Sequence, residues 1–248
     1  MACLNAKTCS NALLLIAGIA LVVSMSTPQL LSTSSEFGLG LYVFSAEFDV
    51  GATQFCYSTE VRNGAKKWGP NAGCNFIDFK NTCNTTVTVK LDDETSLDLP
   101  IRSLYGDPDK CDEHKTLVAL GWGACAVAAI GILVGILASS NCCCTCSVKQ
   151  QSLWGFIFSL LAGALAAGAA IVVVGLFDWA QDGGGQRIPS SVLKAGTPQY
   201  GYSFGFLCGG VALCAISVLG HLYSCLCSGG PWVGGARGDN GRLLQQPV

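Results

Sequence analysis

Charge is what this chain has least of. Only 12% of its 248 residues are Asp, Glu, Lys or Arg, and half are hydrophobic. A soluble chain of ordinary composition carries about a quarter charged residues. Histidine is scarce too, at 2 residues. No His/Ser/Asp or His-based metal constellation can be assembled from so few, so an enzyme is not expected. The large polar segment, residues 31–115, holds neither a CxxC pair nor an EF-hand spacing, which leaves zinc and calcium without a ligand frame there. No cofactor is expected, and no nucleic-acid partner. The long apolar runs have no charged residue near their centres. Ionisable groups at that depth mark proton and ion paths, so a pump, a secondary transporter or an intramembrane enzyme is disfavoured.

What is present is four long apolar runs: residues 11–31, 116–140, 153–177 and 202–226. About 20 apolar residues span a bilayer as a helix. The fold class expected is a four-helix transmembrane bundle with a β-rich segment in its first loop. The chain divides into residues 1–31 (short N-terminus and first span), 32–115 (large loop), 116–140 (second span), 141–152 (Cys-rich linker), 153–177 (third span), 178–201 (second loop), 202–226 (fourth span) and 227–248 (Gly-rich tail, expected to be disordered). In the first run, Ser24, Ser26, Thr27, Pro28 and Gln29 dilute the second half. A cleaved signal peptide is its rival reading, with Lys7 ahead of the apolar stretch and Ser24-Met25-Ser26 as a place to cut. Four uncleaved spans are preferred.

Cysteine usage orients the chain. The large loop holds Cys56, Cys74, Cys83 and Cys111. An even number in so short a segment points to two disulfides and an oxidising compartment. Four cysteines allow three connectivities. Proximity along the chain favours Cys56 with Cys74 and Cys83 with Cys111, without excluding the others. A glycosylation triplet, Asn84-Thr85-Thr86, lies in the same loop. The loop is therefore expected outside the cell or in a lumen, with both termini cytosolic and the plasma membrane as the first choice of location. Cys125, Cys208 and Cys214 fall inside spans, where a thiol packs as a small apolar group. Cys3, Cys9, Cys142, Cys143, Cys144, Cys146, Cys225 and Cys227 fall near the expected cytosolic surface. Such juxtamembrane cysteines are candidates for S-palmitoylation, and Cys142, Cys143, Cys144, Cys146, Cys225 and Cys227 are the ones singled out. Acylation of the linker cluster is preferred to a metal cluster, because no loop is available to fold around one.

The loop reads as β structure. Residues 38–48 carry aromatic and apolar side chains and are expected as one strand. Asp49-Val50-Gly51 is a turn, and residues 53–62 return as the second strand of a hairpin. Residues 85–91 alternate as half-buried strands do. Asn63-Gly64 and Gly69-Pro70-Asn71 read as turns. The loop is acidic, with 13 Asp/Glu against 8 Lys/Arg over residues 31–115. Asp92-Asp93-Glu94 is read as a solvated turn.

The spans are rich in small residues. Gly131 and Gly135 form a GxxxG; Gly163 and Ala167 repeat the spacing in the third run, and Gly205 and Gly209 in the fourth. Small residues one turn apart let helix backbones approach closely. Packing inside the bundle is the preferred reading, and a lateral interface with another subunit or channel is the alternative. Trp122, Trp154 and Trp179 lie near span ends, as interfacial aromatics do. His221 and Asp178 also lie near span ends, where water or headgroups are in reach, and neither is read as catalytic. The final Gln-Gln-Pro-Val offers an apolar end with a carboxylate, a faint PDZ-type signal.

One helix, a large cysteine-bearing loop, two helices joined by a short link, a smaller loop and a last helix: this layout resembles the claudin, peripheral myelin protein and stargazin superfamily. It is also similar to the amastins and fungal cortical tetraspans. Gly40-Leu41-Tyr42 resembles the Gly-Leu-Trp of claudins, with Cys56 and Cys74 standing for their cysteine pair. Residues 200–206 (YGYSFGF) look like the corresponding stretch of stargazin-type subunits. The resemblance implies a non-enzymatic membrane protein acting through lateral and extracellular protein contacts. The partners implied are the bilayer and either further copies of itself or a larger channel or membrane complex that it serves as accessory subunit.

Overall fold

The computed structural model describes residues 2–39, 41–77, 86–90, 96–100, 108–139, 148–181, 194–195 and 198–227. Four helices dominate: α1 (Ala2–Ser26), α2 (Pro108–Ser139), α3 (Val148–Gln181) and α4 (Tyr202–Cys227). They hold candidate spans of 20, 29, 32 and 25 residues, each long and apolar enough to cross a membrane. At 1.5 Å per residue, 20 residues cover about 30 Å of hydrocarbon. α2 starts at Pro108, so a polar turn and more precedes the apolar run. The helices alternate up and down. α1 packs against α2 and α4, and α3 closes the ring by packing against the same two.

The side-chain distribution is inverted relative to a soluble bundle. Leu15, Ile16, Ile19, Leu133, Ile136, Leu160, Ile171, Ile216 and Leu219 point outward and are exposed. Lys7, Ser10, Ser24, Ser152, Ser159, Ser203, Ser217, His221 and Ser224 are buried between the helices. Helices apolar on all sides suit lipid, and polar side chains then turn inward to find one another. Ser159 and Ser217 hydroxyls lie 3.0 Å apart, and Ser217 donates to the Ser10 carbonyl at 2.9 Å. Such a bond adds about 0.6 kcal/mol in a membrane bundle. Small residues make the close approach possible: Ala162, Ala166 and Ala169 of α3 are fully buried at one-turn spacing, facing a core that includes Leu21, Leu117, Ala124, Val173 and Leu207.

The sheet sits over one end of the bundle. It contains β1 (Leu31–Leu39), β2 (Tyr42–Val50), β3 (Gln54–Asn63) and β4 (Lys66–Phe76), in the order β4-β3-β2-β1. A separate hairpin pairs β5 (Thr86–Lys90) with β6 (Ser96–Pro100). The second loop completes the β1 edge through β7 (Lys194–Ala195) and β8 (Gln199–Tyr200).

Two expectations need correction. Residues 38–48 are not one strand. β1 and β2 pair from Leu31↔Val50 to Leu39↔Tyr42, so the chain reverses between Leu39 and Tyr42. The Ser-Thr-Ser-Ser stretch, residues 32–35, forms the missing strand because it finds partners on both sides. Gly69-Pro70-Asn71 is not a turn. It lies inside β4, where Gly69 and Pro70 stand opposite the single residue Glu60 and the register shifts. Two residues against one is a β-bulge, and Gly69 takes φ 101°, open to glycine without strain. Asn63-Gly64 does turn the chain, with Gly64 at φ 58°.

Candidate functional site

The site begins at the joint between helices and sheet. The five residues 27–31 leave α1 and pass between two glycines. A Cβ on Gly51 would lie 2.5 Å from the Thr27 carbonyl oxygen and 2.6 Å from Pro28 Cα. A Cβ on Gly201 would strike the Gln29 carbonyl, with its carbon at 2.7 Å. Only glycine admits this approach, because the neighbouring atoms are backbone and have nowhere to go.

Hydrogen bonds fasten the joint. Leu30 N–H donates to the Val50 carbonyl at 3.1 Å, Gly201 N–H to the Leu30 carbonyl at 3.1 Å, and Ser203 N–H to the Gln29 carbonyl at 3.1 Å. Thr53 Oγ1 donates to the Met25 carbonyl at 3.1 Å, and Gln29 Nε2 to Asp49 Oδ2 at 3.0 Å. Thr27 and Ser203 hydroxyls meet at 2.5 Å. His114 of α2 is buried, and its Nε2 lies 3.2 Å from the Ala52 carbonyl. A carbonyl only accepts, so this nitrogen carries the proton. The turn between β2 and β3 is thereby tied to α1 and α2. Phe177, Tyr200 and Phe204 stack with centroids 4.0 and 4.5 Å apart, packing the second loop onto the tops of α3 and α4.

The sheet held by this joint has one polar face. Cys56 and Cys74 pair directly across β3 and β4 and are bonded, with Cα atoms 4.1 Å apart. On the same face, by strand alternation, lie Ser58, Glu60 and Arg62 of β3 and Glu47 of β2. Arg62 holds Glu60 in a two-pronged grip, Nε to Oε1 at 2.8 Å and Nη2 to Oε2 at 3.2 Å; Lys67 stands 3.4 Å from Oε1. The Arg62 hydrogen bond keeps the Glu60 carboxyl below its ordinary pKa, and Lys67 adds to this. The cluster is solvated, so it shapes the surface more than it stabilises the fold. Leu41 and Val43, near the outer end of the first hairpin, are exposed apolar side chains.

The remaining sequence-derived residues separate by position. Cys111 is buried and disulfide-bonded. Its sequence-expected partner, Cys83, lies outside the described residues, as do Asn84 and the cluster Cys142, Cys143, Cys144 and Cys146. Cys225 is a half-buried thiol near the end of α4, and Cys227 is the last residue of that helix.

The small residues divide into two groups. Gly131 faces both neighbours, its notional Cβ 2.7 Å from Phe158 Cβ and 3.2 Å from Leu14 Cδ2. Gly135 abuts the Asn11 side chain and Gly163 the Cβ of Cys214, at 3.3 and 3.2 Å. Ala167 is half-buried. Among the described residues Gly205 and Gly209 meet nothing within 4 Å and look outward, so they take no part in packing the four helices against one another. Gly131→Leu is therefore expected to lower thermal stability in detergent by about 1–3 kcal/mol through overpacking. Gly205→Leu, scanned beside it, should unfold at the wild-type temperature.

His221 also departs from its expected setting. Its ring is not on the outer surface of the bundle but fully buried against α3. No property of the sequence distinguished this face of α4 from the others. Among the described residues, no three His, Cys, Asp or Glu side chains converge as a metal site. Neither a scan of protein-family models nor a search of curated proteins finds a match to this chain.

Proposed function

We propose that this chain is a non-enzymatic, claudin-like tetraspan membrane protein that acts through protein contacts. In this reading the sheet faces the cell exterior, both termini are cytosolic, and the protein resides in the plasma membrane. Cys83 closes the second disulfide to Cys111, Asn84 carries a glycan, and Cys142, Cys143, Cys144, Cys146, Cys225 and Cys227 accept palmitoyl chains.

The observation that carries the reading is the joint. A sheet pinned by Cys56–Cys74 and locked to the helices between Gly51 and Gly201 keeps a fixed orientation relative to those helices. A recognition surface held rigidly loses little conformational freedom on binding. Such a sheet suits adhesion or assembly with neighbouring material at the membrane surface.

One observation favours the second reading, an accessory subunit of a channel, receptor or larger complex. Gly205 and Gly209 present open backbone one turn apart on the outer side of α4, a surface on which another helix can lie close. Native mass spectrometry after mild detergent extraction separates the readings. Homo-oligomers support self-assembly, and a fixed stoichiometry with a larger protein supports the accessory role. A lone monomer, extracted under conditions that preserve known complexes, counts against both.

A further inference from the structure

At the end of the bundle away from the sheet, three helices bring a positively charged, donor-rich cluster together. Lys7 of α1 is only 7% exposed, and its Nζ donates to Gln151 Oε1 of α3. That acceptor is neutral, and no salt bridge among the described residues involves Lys7. His221 of α4 is fully buried within electrostatic reach of Lys7, and among the described residues neither ring nitrogen has a hydrogen-bond partner. Its ring lies against Gly155 of α3, where a Cβ would stand 2.7 Å from both nitrogens. Ser152, about one turn before Gly155, is fully buried with its hydroxyl likewise unpartnered among those residues.

Each of these features costs free energy if it stands alone. A buried ammonium has three donors, and one neutral acceptor leaves most of that demand unmet. An unpartnered buried hydroxyl or imidazole adds the desolvation cost of its polar atoms. The groups share a polarity: Lys7, Ser152 and a His221 N–H all donate, and no carboxylate among the described residues neutralises the ammonium. An anion with several acceptor oxygens is the kind of ligand that accepts from an ammonium, a hydroxyl and an imidazole N–H together.

We propose that Lys7, Ser152 and His221 form a binding site for a phosphate group at this end of the bundle. The phosphate is that of an anionic lipid headgroup or of a free phosphate anion, and it supplies acceptors to Ser152 and His221, which have none among the described residues, and a counter-charge to Lys7. The proposal rests on the reading of the helices as membrane spans, which sets this cluster near headgroup depth.

The full-length chain in nanodiscs tests both sources. In discs of phosphatidylcholine with added phosphatidic acid, native mass spectrometry should show wild type retaining the acidic lipid over phosphatidylcholine. Lys7→Gln and Ser152→Ala should each weaken that retention about tenfold, as loss of a charge-assisted hydrogen bond does. Lys67→Gln, on the sheet, should leave it unchanged. In phosphatidylcholine discs alone, inorganic phosphate is titrated while the melting temperature is followed. A rise in wild type that Lys7→Gln removes, without lipid preference, assigns the site to a free anion. Equal retention of both lipids with no phosphate-dependent shift in wild type overturns the proposal. So does a preference that survives both substitutions. Should Lys7→Gln fail to fold, Ser152→Ala and the wild-type titration still decide. Failure of the chain to enter nanodiscs at all would instead strike the membrane reading.

Discussion

Gly201→Val is expected to leave little folded protein. Its side chain would have to occupy the space taken by the Gln29 carbonyl group and Gln29 Cβ, the latter 2.9 Å from a first Cβ alone. Relief requires moving residues 27–31, and these also carry the bonds to Val50, Gly201 and Ser203. Overpacking commonly costs about 1–3 kcal/mol. Here the obstructing atoms are backbone and the displaced segment anchors both halves of the molecule, so a loss beyond that range is expected. Gly201→Ala should be milder but measurable. Gly201 lacks a positive φ, so the cost comes from space alone. The measurement is thermal unfolding in detergent, with Gly205→Val as the comparator whose surroundings are empty. If the Gly201 and Gly205 variants unfold at the same temperature, the joint does not couple sheet to bundle.

Cys56→Ser carries the second large effect. The disulfide closes a separation of 18 residues across adjacent strands. Constraining the unfolded chain over such a loop stabilises by about 3 kcal/mol, and loss of a native disulfide typically costs 2–5 kcal/mol. Cys56 is also largely buried, so the serine hydroxyl enters a partly apolar setting and adds to the loss. The variant should show reduced thermal stability, slower mobility on a non-reducing gel and poor delivery to the cell surface. Unchanged mobility together with normal delivery would remove the bond from the account of the fold. Cys111→Ser should weaken the tie between the loop and α2, whose first turn carries that buried, disulfide-bonded cysteine.

The parts of this structure that were legible in the sequence depend on composition and length. Four apolar runs without central charge translate directly into four long helices, because hydrocarbon requires backbone hydrogen bonds to close within a segment. The β character of residues 53–62 showed in its branched and aromatic residues. β1 did not show, because a serine-rich segment has no strand signature of its own and becomes one only through partners at its two edges. The bulge at Gly69-Pro70 reads as a turn for a related reason: glycine and proline mark a break in regular pairing, and the partner strand decides whether the chain reverses or continues.

The sequence by itself determined the number of helices, the place of the sheet between the first two, and the presence of bridgeable cysteines in that segment. Each follows from local properties: run length, alternation, and residue type within a short window. The tertiary structure alone decided which residues turn inward. Gly131 and Gly205 sit in similar GxxxG patterns, yet one is wedged between two helices and the other faces outward. Lys7 and Gln151, and His221 and Gly155, lie far apart in the chain and meet only because α1, α3 and α4 converge at that end of the bundle. A helix that is apolar all round carries no stripe to fix its rotation. That rotation was settled by the few small and polar side chains that could pack or bond with neighbouring helices, and sequence alone does not say which neighbours those are.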